Sequence, residues 1–472
     1  MKRTKGWNYT PYRPLFFDVG DIYICRVVPS KSSIHFEWLG KNGDTFEIYF
    51  RKREEERFEL SGLTDETFYT INNLEAENDY EFFVQSGTKK SLVRLARTGD
   101  AVGVVVEYLH PDDNAYGYSG QYLCSPSFLR HPDGHLLSSM DLYGAGTRQC
   151  LTRIFRSDDD GESWHFVTEL YPCFWAKMFM HRGELYILAS TREYGSLLIG
   201  KSTDGGNTWS EPVMLLYGCP SDKCISGVLK NPQPVVEFGG RLWGTLEWGY
   251  APSGLAAPMV MSAPADADLM NPDNWSYSEP VEYNPDWEGM AKGKTDGNIE
   301  GCLTVIDGKL YNIMRYGIGP HNEPQYGLIM AFEVDTENPE APLKFCRVIK
   351  YPGNRSKFII KYDKSSQKYF SFATRITQPE ISSRSLLSLM VSDNGVDWRV
   401  LKDIYDYRHL KTQESGFQYV DFEFEGDDII FVCRTGLNKP HGFHDTNYQT
   451  FDRIKNFRKL AEKFESLEIF DI

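Results

Sequence analysis

The chain has 472 residues, 41% of them hydrophobic and 14% aromatic, enough for one large repeat domain and a smaller companion. Its formal net charge of −15 excludes nucleic acid as a default partner, because phosphate binding needs a basic face. The first residues have no apolar stretch typical of a secretion signal, and no segment has the length and apolarity of a membrane span. We therefore expect a cytoplasmic protein without a membrane partner, or a secreted one if a leader has been removed.

The cysteines favour reduced thiols. There are nine of them, an odd number with scattered spacing, and Cys219 and Cys224 are the only close pair with a loop-like interval. The histidine runs around His110 and His441 lack the spacing of a metal finger. Phosphate-binding and dinucleotide-binding glycine motifs are absent from the sequence as well. The sequence thus predicts neither a metal nor a cofactor, and it leaves the oligomeric state open.

Behind an N-terminal extension, residues 1–17, a small all-β domain is predicted over residues 18–98. Short runs of strand-forming residues are separated by charged or glycine-containing turns, at 22–28, 33–39, 45–51, 68–71 and 80–85. The interval from Leu74 to Tyr80 has the spacing of a tyrosine corner. The domain resembles fibronectin type III modules, which implies a β-sandwich that positions or binds rather than catalyses.

Residues 99–472 contain a unit that recurs six times, each with an apolar strand followed by a hairpin. The second strands of the hairpins lie at 134–141, 183–192, 240–247, 308–315, 368–375 and 428–434. In this alignment one position is charged in four units, occupied by Asp141, Glu247, Arg315 and Arg434, while Arg192 and Arg375 fall two residues further along. Because side chains alternate along a strand, a shift of two keeps the same face. Six charges in register predict one shared site.

Three segments between predicted strands follow the pattern Ser-x-Asp-x-Gly-x-Thr-Trp, a sequence suited to a tight turn over a buried tryptophan. They are residues 157–164, residues 202–209 and a shortened form at 392–398. These segments resemble the Asp boxes of the sialidase superfamily. That resemblance implies an all-β fold in which a six-bladed β-propeller follows the small β-sandwich. Residues 101–108 are the predicted outer strand that closes the last blade.

The predicted first strands carry polar residues at otherwise apolar positions. These either face a central channel or are buried structural groups, and they include Asn231, Gln233, Glu300, Lys357 and Gln418. Aromatic residues such as Trp248 stand beside the aligned charges and could stack on a sugar.

The arginines predict an anionic ligand, because a guanidinium binds a carboxylate through two parallel hydrogen bonds. Arg192, Arg315, Arg375 and Arg434, together with Lys357, would form this cationic surface. Asp141, Glu247 and Glu300 are the candidate carboxylates for acid and base or nucleophile in glycoside hydrolysis.

The resemblance to sialidases implies an arginine triad that holds the carboxylate of sialic acid. Its first position falls on Cys124 here, while Arg315 and either Arg375 or Arg434 could supply the other two. Tyr419 or Tyr448 is the corresponding candidate for a tyrosine nucleophile.

The leading hypothesis is an exo-acting glycoside hydrolase whose partner is an acidic, uronate-like or sialate-like oligosaccharide. The second is a polysaccharide lyase in which arginine neutralises a uronate and His444 or Tyr448 abstracts a proton, with Asp445 orienting His444. The third is a propeller that binds glycans without catalysis.

Overall fold

The computed structural model describes residues 22–40, 43–218, 226–250, 255–295, 297–379 and 381–472. The extension over residues 1–17 and the pair Cys219 and Cys224 lie outside these ranges. Within them the chain is almost entirely β-structure in antiparallel sheets, so the predicted all-β class is confirmed. No helix of the described part is long and apolar enough to cross a membrane.

The N-terminal unit has two sheets that share one apolar core. Its strands are β1 (Tyr23–Pro29), β2 (Ile34–Leu39), β3 (Phe46–Lys52), β4 (Glu59–Thr64), β5 (Phe68–Ile71), β6 (Asp79–Ser86), β7 (Lys89–Lys90) and β8 (Arg94–Arg97). One sheet has the order β1-β2-β5, and the other has the order β4-β3-β6-β7 with β8 paired to β6. Alternate residues of β2 are buried, and Phe36 packs against Phe82 of the second sheet with 4.6 Å between ring centroids. The Tyr80 hydroxyl accepts the Glu75 N–H at 3.0 Å, the bond that the predicted tyrosine corner requires.

The second unit begins with short strands, and its sheets then follow in chain order. Its strands are β9 (Val104–Tyr108), β10 (Tyr122–Leu123), β11 (Ser127–Arg130), β12 (Leu136–Tyr143), β13 (Thr152–Ser157), β14 (His165–Leu170), β15 (Phe174–His181), β16 (Glu184–Ser190), β17 (Leu197–Ser202), β18 (Val213–Leu216), β19 (Ser226–Leu229), β20 (Val236–Phe238), β21 (Arg241–Tyr250), β22 (Leu255–Pro264), β23 (Ser276–Tyr277), β24 (Asn298–Ile306), β25 (Lys309–Tyr316), β26 (Leu328–Glu333), β27 (Lys344–Lys350), β28 (Ile360–Asp363), β29 (Lys368–Thr374), β30 (Leu386–Ser392), β31 (Arg399–Asp406), β32 (Gly416–Glu425), β33 (Asp428–Gly436) and β34 (Tyr448–Ile454). A short helix, α1 (Phe457–Ala461), follows the last strand. Turns of 3-10 helix lie at Pro272–Asn274, Thr412–Glu414 and Phe464–Ser466.

Each sheet of the second unit is antiparallel, and its strands follow one another in the chain except for β9, which joins the last sheet. The orders are β10-β12-β13-β14 with β11 beside β12, then β15-β16-β17-β18, β28-β29-β30-β31 and β32-β33-β34-β9. Between the second and third of these lies a nine-stranded sheet with the path β19-β21-β22-β24-β25-β26-β27, in which β20 pairs with β21 and β23 with β22. The hairpins predicted from the repeat are the pairs of first and second strands in these sheets.

The first strands of different sheets lie side by side. Met178 of β15 donates its backbone N–H to the Ser127 hydroxyl of β11 at 3.0 Å. Phe128 of β11 donates its N–H to the Asp421 carboxylate of β32 at 2.9 Å. The first described sheet of the unit therefore contacts both the next sheet and the last one.

The last sheet is completed by a strand from the beginning of the unit. Strand β9 pairs antiparallel with β34, with Tyr108 opposite Tyr448 and Val104 opposite Phe451. This confirms the prediction that residues 101–108 supply a closing outer strand.

Three first strands contain a bulge near the same end. The pairing register shifts between Phe174 and Lys177 in β15, between Ile299 and Cys302 in β24, and between Gln418 and Asp421 in β32. Each bulge holds one non-glycine residue in the left-handed region, with φ of 51° at Trp175, 60° at Glu300 and 57° at Tyr419. Such a bulge redirects the side chain of the extra residue.

The three segments predicted to form tight turns, residues 157–164, 202–209 and 392–398, lie between the third and fourth strands of their sheets. At residues 202–209 the Asp204 carboxylate accepts the Thr208 N–H at 2.9 Å, and Ser202 Oγ accepts the Gly206 N–H at 2.9 Å. Trp209 is buried beneath the turn and donates its indole N–H to the Gly206 carbonyl at 3.2 Å. Because strands alternate in direction, these turns lie at the end of the unit opposite to the bulges.

A buried charge network joins the two units. Arg153 Nε lies 3.0 Å from Glu169, and the same guanidinium contacts the Glu107 carboxylate and the Cys25 carbonyl of the N-terminal unit. Tyr23 of the N-terminal unit also donates its hydroxyl hydrogen to Glu169. Since both carboxylates and the guanidinium are buried, each depends on the others for its charge compensation.

We expect Arg153→Met to lower the free energy of unfolding by about 3–5 kcal/mol, because it leaves two buried carboxylates without a counter-charge. Denaturant unfolding monitored by tryptophan fluorescence measures this change. Arg156→Met is the matched control on the same strand, since Arg156 pairs with the exposed Asp158 and should change stability by less than about 1 kcal/mol. Equal effects of the two substitutions would contradict a structural role for the network.

Candidate functional site

A tyrosine, a carboxylate and an arginine from three strands meet at the bulged end of the first strands. The Tyr419 hydroxyl donates a hydrogen bond to one carboxylate oxygen of Glu300. Arg315 Nη1 donates to the other oxygen at 2.7 Å, and Arg315 Nε donates to the Asn354 carbonyl at 3.1 Å. The bulges of β24 and β32 aim Glu300 and Tyr419 at each other, and β25 supplies Arg315.

Burial and charge set the protonation states of Tyr419 and Glu300. Burial raises the pKa of Tyr419 well above its usual value, and the charge of Glu300 raises it further. Burial also pushes the pKa of Glu300 upward, but Arg315 and the hydrogen bond from Tyr419 outweigh it, so that the pKa lies below its ordinary value. At neutral pH the pair is therefore a protonated phenol bonded to an ionised carboxylate. Such a carboxylate can accept the phenol proton when the phenol oxygen forms a new bond.

Two further arginines surround this pair. The Arg434 guanidinium carbon lies 5.0 Å from the centroid of the Tyr419 ring. Arg384, in the segment before β30, donates from Nη2 to the Arg355 carbonyl at 2.8 Å. Burial, followed by repulsion from Arg315, lowers the pKa of Arg384 to about 9. We call Arg315, Arg384 and Arg434 the arginine cluster.

The positive charges of the arginine cluster repel one another, since Arg315 and Arg434, after burial, lower the pKa of Arg384. Glu300 is hydrogen-bonded to Arg315, and the charge of Arg434 contributes to the lowered pKa of Asp445. Arg384 Nη1 is buried and has no hydrogen-bond partner within the described part of the chain. Buried like charges are unfavourable unless an anion or a carboxylate compensates them. The geometry therefore suits a bound anion, and a carboxylate matches the planar fork of arginine.

His444 and Asp445 form part of the rim of the site. His444 Nδ1 lies 2.6 Å from Asp445 Oδ1, and Arg434 donates to the His444 carbonyl. Burial and the neighbouring Arg434 lower the pKa of His444 to about 4, although Asp445 opposes this. His444 is therefore a neutral imidazole at neutral pH. Its ring also contacts that of Tyr143, with 5.9 Å between centroids.

Glu193 lies on the Cys124 side of the arginine cluster. Burial raises the pKa of Glu193 above its usual value, although a hydrogen bond from Gln149 opposes this. Its chain neighbour Tyr194 packs with Tyr143 and Cys124 in one apolar cluster, and the charge of Glu193 contributes, after burial, to the raised pKa values of both. Cys124 Sγ in turn accepts a hydrogen bond from Arg434 Nη1 at 3.6 Å. This carboxyl group can hold a proton at a higher pH than an exposed glutamate.

Asp141 and Glu247, two of the predicted catalytic carboxylates, bind backbone amides beside the bulges. Glu247 accepts the Gly301 N–H at 2.8 Å and the Asn231 side-chain amide at 3.0 Å. Asp141 accepts the Thr152 hydroxyl at 2.5 Å, and the backbone amides of Ala176 and Trp175 favour its charged form. Burial raises the pKa of each carboxyl to about 8. In this geometry both groups support the bulges that carry Glu300 and Trp175.

Other predicted residues from the first strands are buried near the centre of the unit. Lys357 Nζ donates to the Pro232 carbonyl at 3.2 Å and lies 5.6 Å from the centroid of the Tyr419 ring. Gln233 donates to the Phe358 carbonyl at 3.1 Å, and Gln418 donates to the Phe443 carbonyl at 2.6 Å. The contacts of Lys357 and Gln233 connect two different sheets near their first strands, whereas Gln418 contacts the loop between β33 and β34 of its own sheet.

The remaining predicted residues are not hydrogen-bonded to the Tyr419–Glu300 pair. Arg375 Nη2 lies 3.1 Å from the Asp403 carboxylate at the surface. The Tyr448 hydroxyl accepts a hydrogen bond from Asn438 at 3.0 Å, and the Tyr448 ring packs against Tyr108. Half-buried Trp248 packs against the apolar core around β21, and half-buried Arg192 follows the end of β16.

The opposite end of the first strands opens into a cavity of about 1050 Å³. Its lining includes Met180, Val305, Tyr362 and Glu425, which lie toward the C-terminal ends of the first strands β15, β24, β28 and β32. None of the arginine cluster, Glu300 or Tyr419 lines it. The size of this cavity therefore does not identify the site, whose marker is the convergence of charged groups.

Arg384 is the site residue that the hairpin alignment missed. It precedes the third strand of its sheet, whereas the alignment compared the ends of second strands. The signal in the sequence is a single arginine within Ser-Ser-Arg-Ser, directly before the apolar run that becomes β30.

Comparison with known proteins shows similarity of fold. The sequence matches no protein-family model and no curated protein. A Trypanosoma rangeli sialidase solved in complex with sialic acid is similar to this chain over 77% of its length at 14% identity, with a TM-score of 0.51. The match covers 60% of that sialidase. A Penicillium chrysogenum alpha-L-arabinanase complexed with arabinobiose matches over 76% of this chain and 98% of its own, with 13% identity and a TM-score of 0.48.

We predict that the stability difference between Glu247→Gln and the unsubstituted protein depends on pH. The pKa of Glu247 is about 8 in the folded chain against about 4.5 in the unfolded one. Between these values the unfolded chain releases a proton that the folded chain keeps, so stability falls as pH rises through this window. Glu247→Gln removes this loss, and from pH 5 to pH 8 the free-energy difference should move in favour of the variant by at least about 1 kcal/mol.

Denaturant unfolding at the two pH values measures this shift. The exposed Glu340 supplies the control, Glu340→Gln, for which the difference from the unsubstituted protein should stay constant. A constant difference for Glu247→Gln as well would show that Glu247 is not buried as described.

Proposed function

We propose that residues 99–472 form a six-bladed, sialidase-like propeller and that residues 18–98 form a fibronectin type III-like sandwich. The nine-stranded sheet is joined between β22 and β24 by a single residue pair, Ala256 with Asn298. Division at this pair gives six sheets in total, each with its first strand toward the centre. The Asp-box turns and the closing strand β9 support the same architecture.

We further propose that the protein is an exo-acting glycoside hydrolase for a sugar that bears a carboxylate. The observation that carries this proposal is the Tyr419–Glu300 pair with the arginine cluster around it. Arg315, Arg384 and Arg434 would bind the carboxylate of the sugar and hold its anomeric carbon near the Tyr419 hydroxyl. The T. rangeli sialidase, whose structure holds sialic acid, supports a ligand of this class.

Charge explains why tyrosine suits this reaction better than a carboxylate nucleophile. A carboxylate would repel a sugar whose own carboxylate lies close to the anomeric carbon, whereas the protonated Tyr419 phenol is neutral until it reacts. As the phenol oxygen bonds to the anomeric carbon, the phenol proton moves to Glu300 and the glycosidic C–O bond breaks. Water then attacks the anomeric carbon and gives its proton to the group that protonated the leaving oxygen, while the glycosyl–tyrosine bond breaks and Glu300 returns its proton to the phenol oxygen. The configuration at the anomeric carbon is retained over the two displacements.

The departing oxygen needs a proton, and we propose Glu193 as its donor. Burial keeps the pKa of this carboxyl above its usual value, which a general acid near neutral pH requires. Neutral His444 is a poorer acid, because its pKa of about 4 means that it holds no extra proton at neutral pH.

A uronate lyase is the second candidate, and the His444–Asp445 pair beside Arg434 favours it. The hydrogen bond at 2.6 Å orients His444, whose neutral ring could abstract a proton from carbon. Tyr448, the other predicted lyase residue, is bonded to Asn438 instead. A lyase forms a double bond that absorbs ultraviolet light, whereas a hydrolase releases sugar without this absorbance.

We expect Tyr419→Phe to lower kcat for an acidic aryl glycoside by at least about 10³-fold, because it removes the nucleophile. Glu300→Gln should lower kcat about 10²- to 10⁴-fold through loss of the base. Arg384→Ala should lower kcat/KM about 10²-fold through loss of a charged hydrogen bond. Release of methylumbelliferone from α-sialoside, glucuronide and neutral arabinofuranoside substrates measures these effects, and ultraviolet absorbance with an unlabelled uronate-linked oligosaccharide detects a lyase product.

The controls are Tyr362→Phe and Arg408→Ala, whose side chains are exposed or paired at the surface, and both should retain full activity. Full activity of Tyr419→Phe would refute the proposed nucleophile. Preference for the neutral arabinofuranoside would refute the acidic substrate, and growth of ultraviolet absorbance would establish the lyase.

For Glu193→Gln we predict an effect that depends on the leaving group. Activity should fall at least about 10²-fold on a natural oligosaccharide, whose alcohol must be protonated as it departs. It should fall much less on a methylumbelliferyl glycoside, whose leaving group departs readily as an anion. Comparison of kcat/KM on the two substrates tests the assignment, and equal losses on both would contradict a general-acid role.

A further inference from the structure

The tight turn between β11 and β12 brings two histidines together. His131 donates its backbone N–H to the His135 carbonyl at 2.9 Å, so the two residues face each other across the hairpin. Directly opposite residues lie on the same face of a sheet, and here the imidazole rings stack with 4.5 Å between centroids. Asp133 lies in the turn between them, followed by Gly134 at a φ of 98°.

The three side chains place their donor atoms in one small volume. His131 Nδ1 lies 3.4 Å from Asp133 Oδ2. One ligand atom from each of His131, Asp133 and His135 lies within 4.8 Å of the other two. A zinc ion bonds nitrogen and carboxylate oxygen at about 2.0–2.2 Å, so its ligands lie roughly 3–4 Å from one another. Rotation of the exposed Asp133 side chain, together with small movements of the two imidazole rings, would bring all three atoms to such a centre.

The hydrogen bonds of the two rings leave the Nδ1 atom of each histidine unprotonated. His135 Nε2 lies 3.0 Å from the Gly205 carbonyl, which can only accept, so Nε2 carries the hydrogen and Nδ1 carries a lone pair. His131 Nδ1 accepts the Asp133 backbone N–H at a long 3.2 Å, so this nitrogen carries a lone pair that a metal ion would have to take over from that hydrogen bond. A ligating histidine commonly donates its other N–H to a backbone carbonyl, as His135 does here.

We propose that His131, Asp133 and His135 bind one divalent transition-metal ion, such as Zn²⁺, with water completing the coordination. Two imidazoles and one carboxylate favour such an ion over Mg²⁺ or Ca²⁺, which prefer oxygen ligands. The site lies at the end of the unit opposite to the arginine cluster. Its contact with Gly205 joins the first hairpin to the Asp-box turn of the neighbouring sheet, so the ion stabilises the fold without taking part in the proposed hydrolysis.

Calorimetric titration of Zn²⁺ into the chelator-treated full-length chain tests this site, with Co²⁺ absorbance as a second measurement of nitrogen ligation. We expect one saturable site, lost in His135→Gln and in His131→Gln. In Asp133→Asn the affinity should fall about tenfold or more. Asp133 is exposed, so this variant keeps the test valid if a histidine variant fails to fold. Zn²⁺ should also raise the thermal midpoint of the unsubstituted protein but not that of the variants.

The matched control is His321→Gln, which removes an exposed histidine from another turn and should leave Zn²⁺ affinity unchanged. Absence of binding up to roughly 100 µM Zn²⁺ would overturn the proposal, since structural zinc sites bind far more tightly. Unchanged affinity in any folded variant of His131, Asp133 or His135 would overturn it as well.

Discussion

The proposed chemistry of this molecule depends on two non-glycine residues held at positive φ. Glu300 and Tyr419 adopt a backbone conformation that costs about 1–3 kcal/mol per residue, and each does so at a bulge of a first strand. The hydrogen bond between their side chains crosses from one sheet to another. Gly301 follows the bulge because a Cβ there would lie 2.1 Å from the Asn312 side chain, and its N–H is held by Glu247. The strained backbone at Glu300, the glycine that follows it and the buried Glu247 carboxylate thus act together to hold this bulge.

The arginine cluster makes the site positively charged, whereas the chain as a whole has a net negative charge. The formal net charge is −15, yet three guanidiniums lie together around the buried Glu300 carboxylate and the neutral His444 imidazole, with Asp445 at the rim. Low polarity around the cluster strengthens its field locally, whereas water and salt screen the surface acids beyond about 10 Å. An anionic ligand would therefore meet weak repulsion at a distance and strong attraction at the site, which favours selection by charge.

Periodicity and turn motifs predicted the hairpins, the closing strand and the face that holds Arg315 and Arg434. These patterns could not show which of the aligned charged residues would contact a ligand and which would bind the backbone. Glu247 shares that register, but the neighbouring bulge needs an acceptor, so its carboxylate binds backbone instead. The contact of Tyr419 with residue 300 spans 119 positions of the chain, and strand patterns do not record bulges. Arg384 was missed because it begins a third strand rather than ending a second one.

The pairing of β9 with β34 has a consequence for how the chain folds during synthesis. The ribosome releases residue 104 long before residue 451, its partner in the last sheet. Until then β9 has an unpaired edge, and the last sheet lacks its outer strand. Closing so long a loop is slow, and incomplete intermediates with open edges are prone to aggregate. The N-terminal unit contacts β9 through Arg26, whose guanidinium donates to the Val106 carbonyl, and so can hold this strand while the chain grows.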